Sequence, residues 1–407
     1  MAPKLGSISD RYGRIRLLVV TSVGAFAAEI ITILAANYPD TVKYQWLLAG
    51  AFLDGLCGSL TTGMAITHAY AADCTPPPKR AVAFGYFHAC LFSGIALGPL
   101  IAAFLVKVTG QLITIFYAAL GVHAFFMFFV LFVVPESRTK KRQQLARERF
   151  AAEGESLVWD GYNLLWALRK GNVLAPLKIL WPTGPGSSGH LRANLILLSA
   201  VDTIIFGVAM GSMTVVVYYT GYQFGWDTAQ SSSFVSIAST ARVSALVIFL
   251  PLFTKLVRAS RANKQRRESG FAIPERNSGS DTLDLSIVRF SIMLEVLGYA
   301  GYALVRTGPL FILSGILAAC GGIGSPTLQS ALTKHVPHDR VGQLLGATGL
   351  LHALARVVCP AVFNLIYAET VKTYPQAVFV VLSGGFGVGF FVSWFIRPNS
   401  ESLPDCG

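Results

Sequence analysis

The feature that most constrains this chain is a series of apolar runs, each about 20 residues long, separated by polar stretches. A run of that length spans the hydrocarbon of a bilayer as a helix. In lipid the backbone must satisfy its own N–H and C=O groups, so an open strand or loop is not an option there. Ten runs fit: 17–36, 46–72, 81–106, 111–134, 193–220, 229–254, 286–305, 309–333, 342–367 and 375–396. Only 13% of the residues are charged, about half the roughly 25% of soluble proteins. The mean hydropathy is +0.55. The fold class expected is all-α, a polytopic membrane bundle of ten spans grouped four and six. The domains expected are an N-terminal bundle 1–135, a polar linker 136–192, a C-terminal bundle 193–397 and a tail 398–407.

The net charge of +12 suggests nucleic acid until the cations are placed. They lie in the connections, not on one soluble face, so no nucleic-acid partner is expected. Alternate connections carry Lys4, Arg11, Arg14 and Arg16, then Lys79 and Arg80, then the clusters 138–192 and 255–276, then Lys334, Arg340 and Arg397. The opposite connections carry Lys43, Lys107, Arg306 and Lys372. That bias puts the first set in the cytoplasm. Residues 157–180 alternate apolar and charged at helical spacing, which fits either a surface amphipathic helix or a plain linker helix. The stretch 184–189 reads as a flexible joint, and 258–281 as disordered. No phosphate loop, metal cluster or nucleophile–base pair is present, so no enzyme activity, metal or cofactor is expected.

The most specific stretch is at the start: Gly6-Ser7-Ile8-Ser9-Asp10-Arg11-Tyr12-Gly13-Arg14-Ile15-Arg16. Gly6 and Gly13 suit a tight turn, the arginines hold it on the basic side, and Asp10 requires a cation or a helix N-terminus. The stretch resembles the loop signature of the major facilitator superfamily, with Ile15 where the family has a cation and Arg16 as the compensating charge. In that family the loop joins the second and third of twelve helices. Five residues precede Gly6, so the resemblance implies that the first two helices are missing and that the ten runs are the third to twelfth. It also implies that Asp10 docks at the N-terminus of the helix starting at Gly342, and that Arg11 or Arg14 meets Asp73. Together Gly6, Asp10, Arg11, Gly13, Arg14 and Asp73 would latch the cytoplasmic side.

A second motif lies in 81–106: Gly85, then Gly94-Ile95-Ala96-Leu97-Gly98-Pro99. Gly94 and Gly98 share a helix face against which another helix can pack, and Pro99 bends the helix. This resembles the signature of drug/proton antiporters in the superfamily, with Ala102 and Ala103 in place of its final glycines. Pro135-Glu136-Ser137-Arg138 resembles the ending of the family's sixth helix. The turn from Tyr70 to Tyr86 is similar to that of tetracycline-resistance transporters.

Ionisable groups inside spans are functional candidates by default. Asp54 is the leading candidate proton carrier, on a stripe with Gly58, Thr61, Ala65 and His68. His88, Asp202, Arg242, Gln329, His352 and Arg356 complete the candidate substrate and proton pathway. By the resemblance, Glu29, His123 and Glu295 fall on peripheral helices and are expected to be structural. The Gly321-Gly322-Ile323-Gly324 break suits a gate or simple close packing. The function expected is secondary active transport of a small amphipathic organic molecule by alternating access, in exchange for protons, as a monomer in a plasma or vacuolar membrane. Two alternatives stand beside it: a proton-coupled importer of a nutrient or organic anion using Arg242 and Arg356, and a truncated product that does not transport.

Overall fold

Long apolar runs interrupted only by glycine, proline and charged turns form helices, and the ends of those helices follow the turn residues. A computed structural model describes residues 2–152, 175–183, 187–269 and 279–398, and every regular element among them is helical. In chain order they are α1 (Ala2–Tyr12), α2 (Arg14–Asn37), α3 (Trp46–Cys57), α4 (Ser59–Cys74), α5 (Arg80–Thr109), α6 (Ile113–Phe132), α7 (Lys140–Ala152), α8 (Gly189–Phe224), α9 (Thr228–Ser244), α10 (Leu250–Ser269), α11 (Thr282–Leu304), α12 (Gly308–Cys320), α13 (Gly324–Thr333), α14 (Val341–Thr370) and α15 (Ala377–Ser393). A five-residue π-helical stretch, Ala245–Phe249, joins α9 to α10, and a 3₁₀ turn, Gly321–Ile323, joins α12 to α13.

Among the described residues nine helical stretches are long and apolar enough to cross a membrane, counting α3–α4, α9–α10 and α12–α13 as one each. The last apolar helix, α15, has 17 residues. Phenylalanines 125, 128, 129 and 132 on α6 point outward and are exposed, as suits a lipid-facing helix. α8 and α14 lie at the centre. α8 packs on α14 and α15, and α11 packs on α12, α13 and α15. Small residues permit the close approaches: a Cβ on Gly298 of α11 would stand 2.6 Å from Cβ of Ala318 on α12.

The structure differs from the expectations at four places. Residues 2–12 form a helix, not a tight turn, and the break falls only at Gly13, whose φ of 102° belongs to glycine. The span 46–72 is two helices, parted at Gly58 (φ 104°) and Ser59 (φ 55°). A side chain at Gly58 would press on Thr62 Oγ1 at 2.6 Å and Leu5 Cδ1 at 2.8 Å. α10 continues to Ser269, covering 258–269 of the stretch expected to be disordered; most of the rest lies outside the described residues. The helix is rich in arginine, lysine and alanine, which are good helix formers, and after Pro251 in its first turn has no glycine or proline before Gly270 to stop it. Gly94 and Gly98 have nothing within 4 Å of a built Cβ, so no helix lies on that face among the described residues. The expected amphipathic helix 157–180 lies mostly outside the described residues; Ala175–Leu180 is a 3₁₀ turn. Of the expected joint, Ser188 caps α8 by accepting from Leu191 N–H.

Candidate functional site

The basic ends of the helices meet in a buried charge network. Asp10 is fully buried at the end of α1. Its carboxylate accepts the N–H groups of Gly342 at 3.1 Å and Gln343 at 2.8 Å, at the start of α14, where the helix dipole favours an anion. Arg14 Nη2 lies 2.7 Å from Asp10 Oδ1, and Arg14 Nε lies 3.0 Å from Asp73 Oδ2. Arg138 donates to the Asp10 carbonyl at 2.7 Å and to the His338 carbonyl at 3.2 Å. Burial pushes the Asp10 carboxyl up from its ordinary value, while Arg14, Arg138 and the Gln343 N–H pull the other way. A Cβ on Gly6 would collide with the Gly342 carbonyl, so the crossing of α1 and α14 requires glycine on both sides.

A second set of contacts joins the same face. Arg80, fully buried, donates to the Thr75 carbonyl at 3.3 Å and to Thr333 at 3.4 Å, and lies 3.2 Å from His338 Nδ1. Arg149 on α7 pairs with Asp339 at 2.8 Å. Lys334 pairs with Asp284. His335, between α13 and α14, is buried with Nδ1 2.9 Å from the Ala331 carbonyl, and burial pushes its imidazole down to about 4.

Inward of this face is a central cavity of about 350 Å³, enclosed by α4, α5, α8, α9, α11, α13 and α14 and the Gly321–Ile323 turn. Met64, Leu91, Phe92, Phe206, Met210 and Met213 make its apolar wall. His68 and His88 stand with ring centroids 5.2 Å apart, and Gln329 lies beside His88. His352 stacks on Phe206 at 4.1 Å, and its Nε2 lies 2.9 Å from Asp202 Oδ2. Arg242 lies over the Phe92 ring at 4.6 Å, with Nη2 3.8 Å from Glu295 Oε1. Arg356 reaches the wall from α14 and makes no ion pair among the described residues.

A second, wider cavity of about 920 Å³ lies between α2, α3, α4, α5 and α6. Asp54, Gly94 and His123 line it, and Leu60, Met64, His68, Leu91 and Arg356 face both cavities.

The profile of the Major Facilitator Superfamily matches residues 1–266. The chain belongs to this superfamily. MFS-type transporter avaJ of Aspergillus versicolor is 32% identical over 99% of the chain and 75% of its own length. The class C tetracycline resistance protein of Escherichia coli is 26% identical over 93% of the chain and 79% of its own length. Relatives from Aspergillus versicolor, Schizosaccharomyces pombe and Saccharomyces cerevisiae are covered over 66–75% of their length. The crystal structure of the human organic anion transporter MFSD10 (TETRAN), at 18% identity, superposes with a TM-score of 0.69 over 96% of the chain and 80% of its own. The protein is thus a facilitator by family and fold, and an integral, multi-pass membrane protein.

The candidate residues of this facilitator fall into separate groups. Gly6, Asp10, Gly13, Arg14 and Asp73 meet at the basic face. Arg11 does not reach Asp73; it bonds to Ser7 one turn back. Ile15 is buried among Leu5, Leu17 and Leu18, whereas Arg16 is exposed and pairs with no acid among the described residues. His68, His88, Arg242, Gln329, His352 and Arg356 line the central cavity, with Asp202 behind His352. Asp54 does not join them, because the break at Gly58 puts it on α3, beside the wider cavity. Gly85 packs tightly on α10, its built Cβ 2.8 Å from Leu250 Cδ2, unlike Gly94 and Gly98. Pro99 lies inside α5, which continues through it.

Three residues were missed by sequence reasoning. Glu136 accepts the N–H groups of Arg14 at 2.9 Å and Ile15 at 3.1 Å, and Arg138 bridges Asp10 to His338; both belong to the Pro-Glu-Ser-Arg string, which was read without a role. Glu295, expected to be peripheral, lines the central cavity. The signal was the Gly321-Gly322 pair, whose missing side chains open the way between α11 and the cavity.

Proposed function

We propose that this facilitator moves a small amphipathic organic molecule across the membrane by alternating access, in exchange for protons. The observation that carries this reading is the central cavity, where an apolar wall and a few convergent charged and titratable groups suit such a molecule. Bundles 1–135 and 193–397 would rock about it, and the Asp10–Arg14–Asp73 network would hold the basic face shut in one of the two states. A proton gradient is a sufficient driver, since one charge crossing 100 mV supplies about 2.3 kcal/mol.

The test is flux in sealed vesicles carrying the full chain, with tetracycline as the probe. Acid on the side toward which tetracycline moves drives protons across in the opposite direction, so an imposed gradient should drive tetracycline accumulation against its concentration. Accumulation that ignores the gradient, or no flux above protein-free vesicles, overturns the reading.

A second reading has its own support. Arg356 faces the cavity without an acidic partner among the described residues, which suits a substrate carboxylate or sulfonate and import with protons. Uptake driven into the vesicle by external acid, lost in Arg356→Gln, would favour it over exchange.

A further inference from the structure

Glu295 occupies an unusual place. It lies on α11, which packs on α15 and stands behind α12 and α13, yet its side chain reaches the central cavity. The passage is made by two glycines. A Cβ on Gly321 would lie 2.5 Å from Glu295 Cγ, and one on Gly322 would lie 2.5 Å from Arg242 Nε. The helix is interrupted there by a 3₁₀ turn, and the acid and the base meet across it.

Among the residues that line the central cavity, Glu295 is the one carboxylate. It is 4% exposed and accepts no hydrogen bond among the described residues. Its one counter-charge among the described residues, Arg242, stands 3.8 Å away, beyond the roughly 2.7–2.9 Å of a charge-assisted hydrogen bond. A buried charge is costly without close pairing, so the charge on Glu295 depends on whether Arg242 attends it. The other acids are placed differently. Asp202 Oδ2 stands 2.9 Å from His352 Nε2, and Asp54 opens to the wider cavity.

We propose that Glu295 takes up and releases the exchanged proton, with Arg242 as the counter-charge that it holds when ionised and frees when protonated. This rests on the exchange reading above and names its proton site. The step is an acid–base transfer: a proton from cavity water adds to a carboxylate oxygen of Glu295, and the charge attraction on Arg242 is lost. Arg242 stays over Phe92, and the neutral carboxyl no longer holds the substrate, so proton and substrate exclude each other in the cavity, as exchange requires. On the other side of the cycle the proton returns to water and the pair re-forms. No electrons move.

The groups facing Glu295 are few. Arg242 comes from α9, and Cys320 ends α12. Tyr299, one turn along α11, is bonded to Ser212 at 2.6 Å, and Tyr302 follows it. α13 and α15 contribute no titratable side chain. Asp284 and Lys334 pair with each other at the other end of α11. Across the cavity stand His68, His88, Arg356 and the Asp202–His352 pair.

The test is infrared titration of the reconstituted full chain, following the C=O band of protonated carboxyl groups, in the wild type, Glu295→Gln, Asp54→Asn and Arg242→Gln. The expected result is a band that grows on acidification, is lost in Glu295→Gln and persists in Asp54→Asn. Removing the neighbouring cation should move its midpoint to higher pH by about one unit or more in Arg242→Gln. A band unchanged in Glu295→Gln overturns the proposal. Should that variant fail to fold, an unmoved midpoint in Arg242→Gln does so. Gradient-driven tetracycline flux with no Glu295 titration defeats this inference alone; Glu295 titration without coupled flux defeats the exchange reading instead.

Discussion

Glu136 caps helix α2 at Arg14 from 122 residues farther along the chain, its Oε1 2.9 Å from Arg14 N. The second oxygen takes Ile15 N at 3.1 Å, so two of the helix's orphan donors are met by one carboxylate. Glycine is required beside it, because a Cβ at Gly13 would collide with Glu136 Oε2. An N-cap is worth about 1 kcal/mol, and a partly buried charge on a helix end up to about 2 kcal/mol. Glu136→Ala should therefore destabilise the protein by about 1–2 kcal/mol, and Glu136→Gln by less, because one acceptor remains. Thermal unfolding in detergent measures both; equal midpoints for the wild type and the alanine variant would refute the cap.

The Asp10 network carries more. Asp10→Ala leaves Arg14 and Arg138 buried beside a lost anion, and removing one partner of a buried pair costs about 3–5 kcal/mol. If the network holds the basic face shut, a cysteine at Thr348 on the cavity wall, in a cysteine-free background, should gain reactivity toward a membrane-impermeant thiol reagent added from that face. Asp10→Asn should fall between, since its amide still offers one acceptor to the N-terminus of α14. No gain in reactivity in Asp10→Ala would show that the face is held by other contacts, of which Arg80–Thr333 is the nearest candidate.

Nine of the ten expected spans have a helix of spanning length among the described residues, because in lipid a long apolar run of this kind satisfies its backbone as a helix. The resemblance named Gly342 and Asp73 as partners of the opening stretch, and both contacts are present. What was not legible depends on distance through space. The break between α3 and α4 is set by Leu5 and Thr62 crowding Gly58, and only the folded chain brings Leu5 there. Arg138 reaches Asp10 from 128 residues away, so a short string near the end of α6 gave no hint of its target. Glu295 was assigned by helix position to the periphery; the glycine pair that exposes it lies on a different helix. Gly94 and Gly98 suggested a packing groove, but a small-residue face says only that a neighbour could approach, not that one does.

Asp54 and Asp202 should separate cleanly. Asp202 lies 2.9 Å from His352 on the cavity wall, whereas Asp54 lies beside the wider cavity. Asp202→Asn should weaken tetracycline flux, and Asp54→Asn should change it much less. Asp202→Asn and His352→Gln should also be non-additive in stability, with a coupling of about 0.5–3 kcal/mol for residues in direct contact. Additive losses would mean that the pair is not formed in the membrane. Met210→Trp, filling the central cavity, should block flux while leaving the melting temperature within a few degrees of the wild type.

His335 makes the pH dependence of stability specific. Burial holds its imidazole at about 4 in the folded chain, against about 6.5 when unfolded. The unfolded chain therefore binds the extra proton first. The stabilisation is full above about pH 6.5 and is lost as pH falls from there toward 4. The displacement corresponds to roughly 3 kcal/mol over that window. Melting temperatures of the purified protein should fall between pH 6.5 and 4, and His335→Gln should flatten that fall while lowering the neutral-pH value if the bond to the Ala331 carbonyl is weakened. An equally steep fall in His335→Gln would assign the acid sensitivity to other groups.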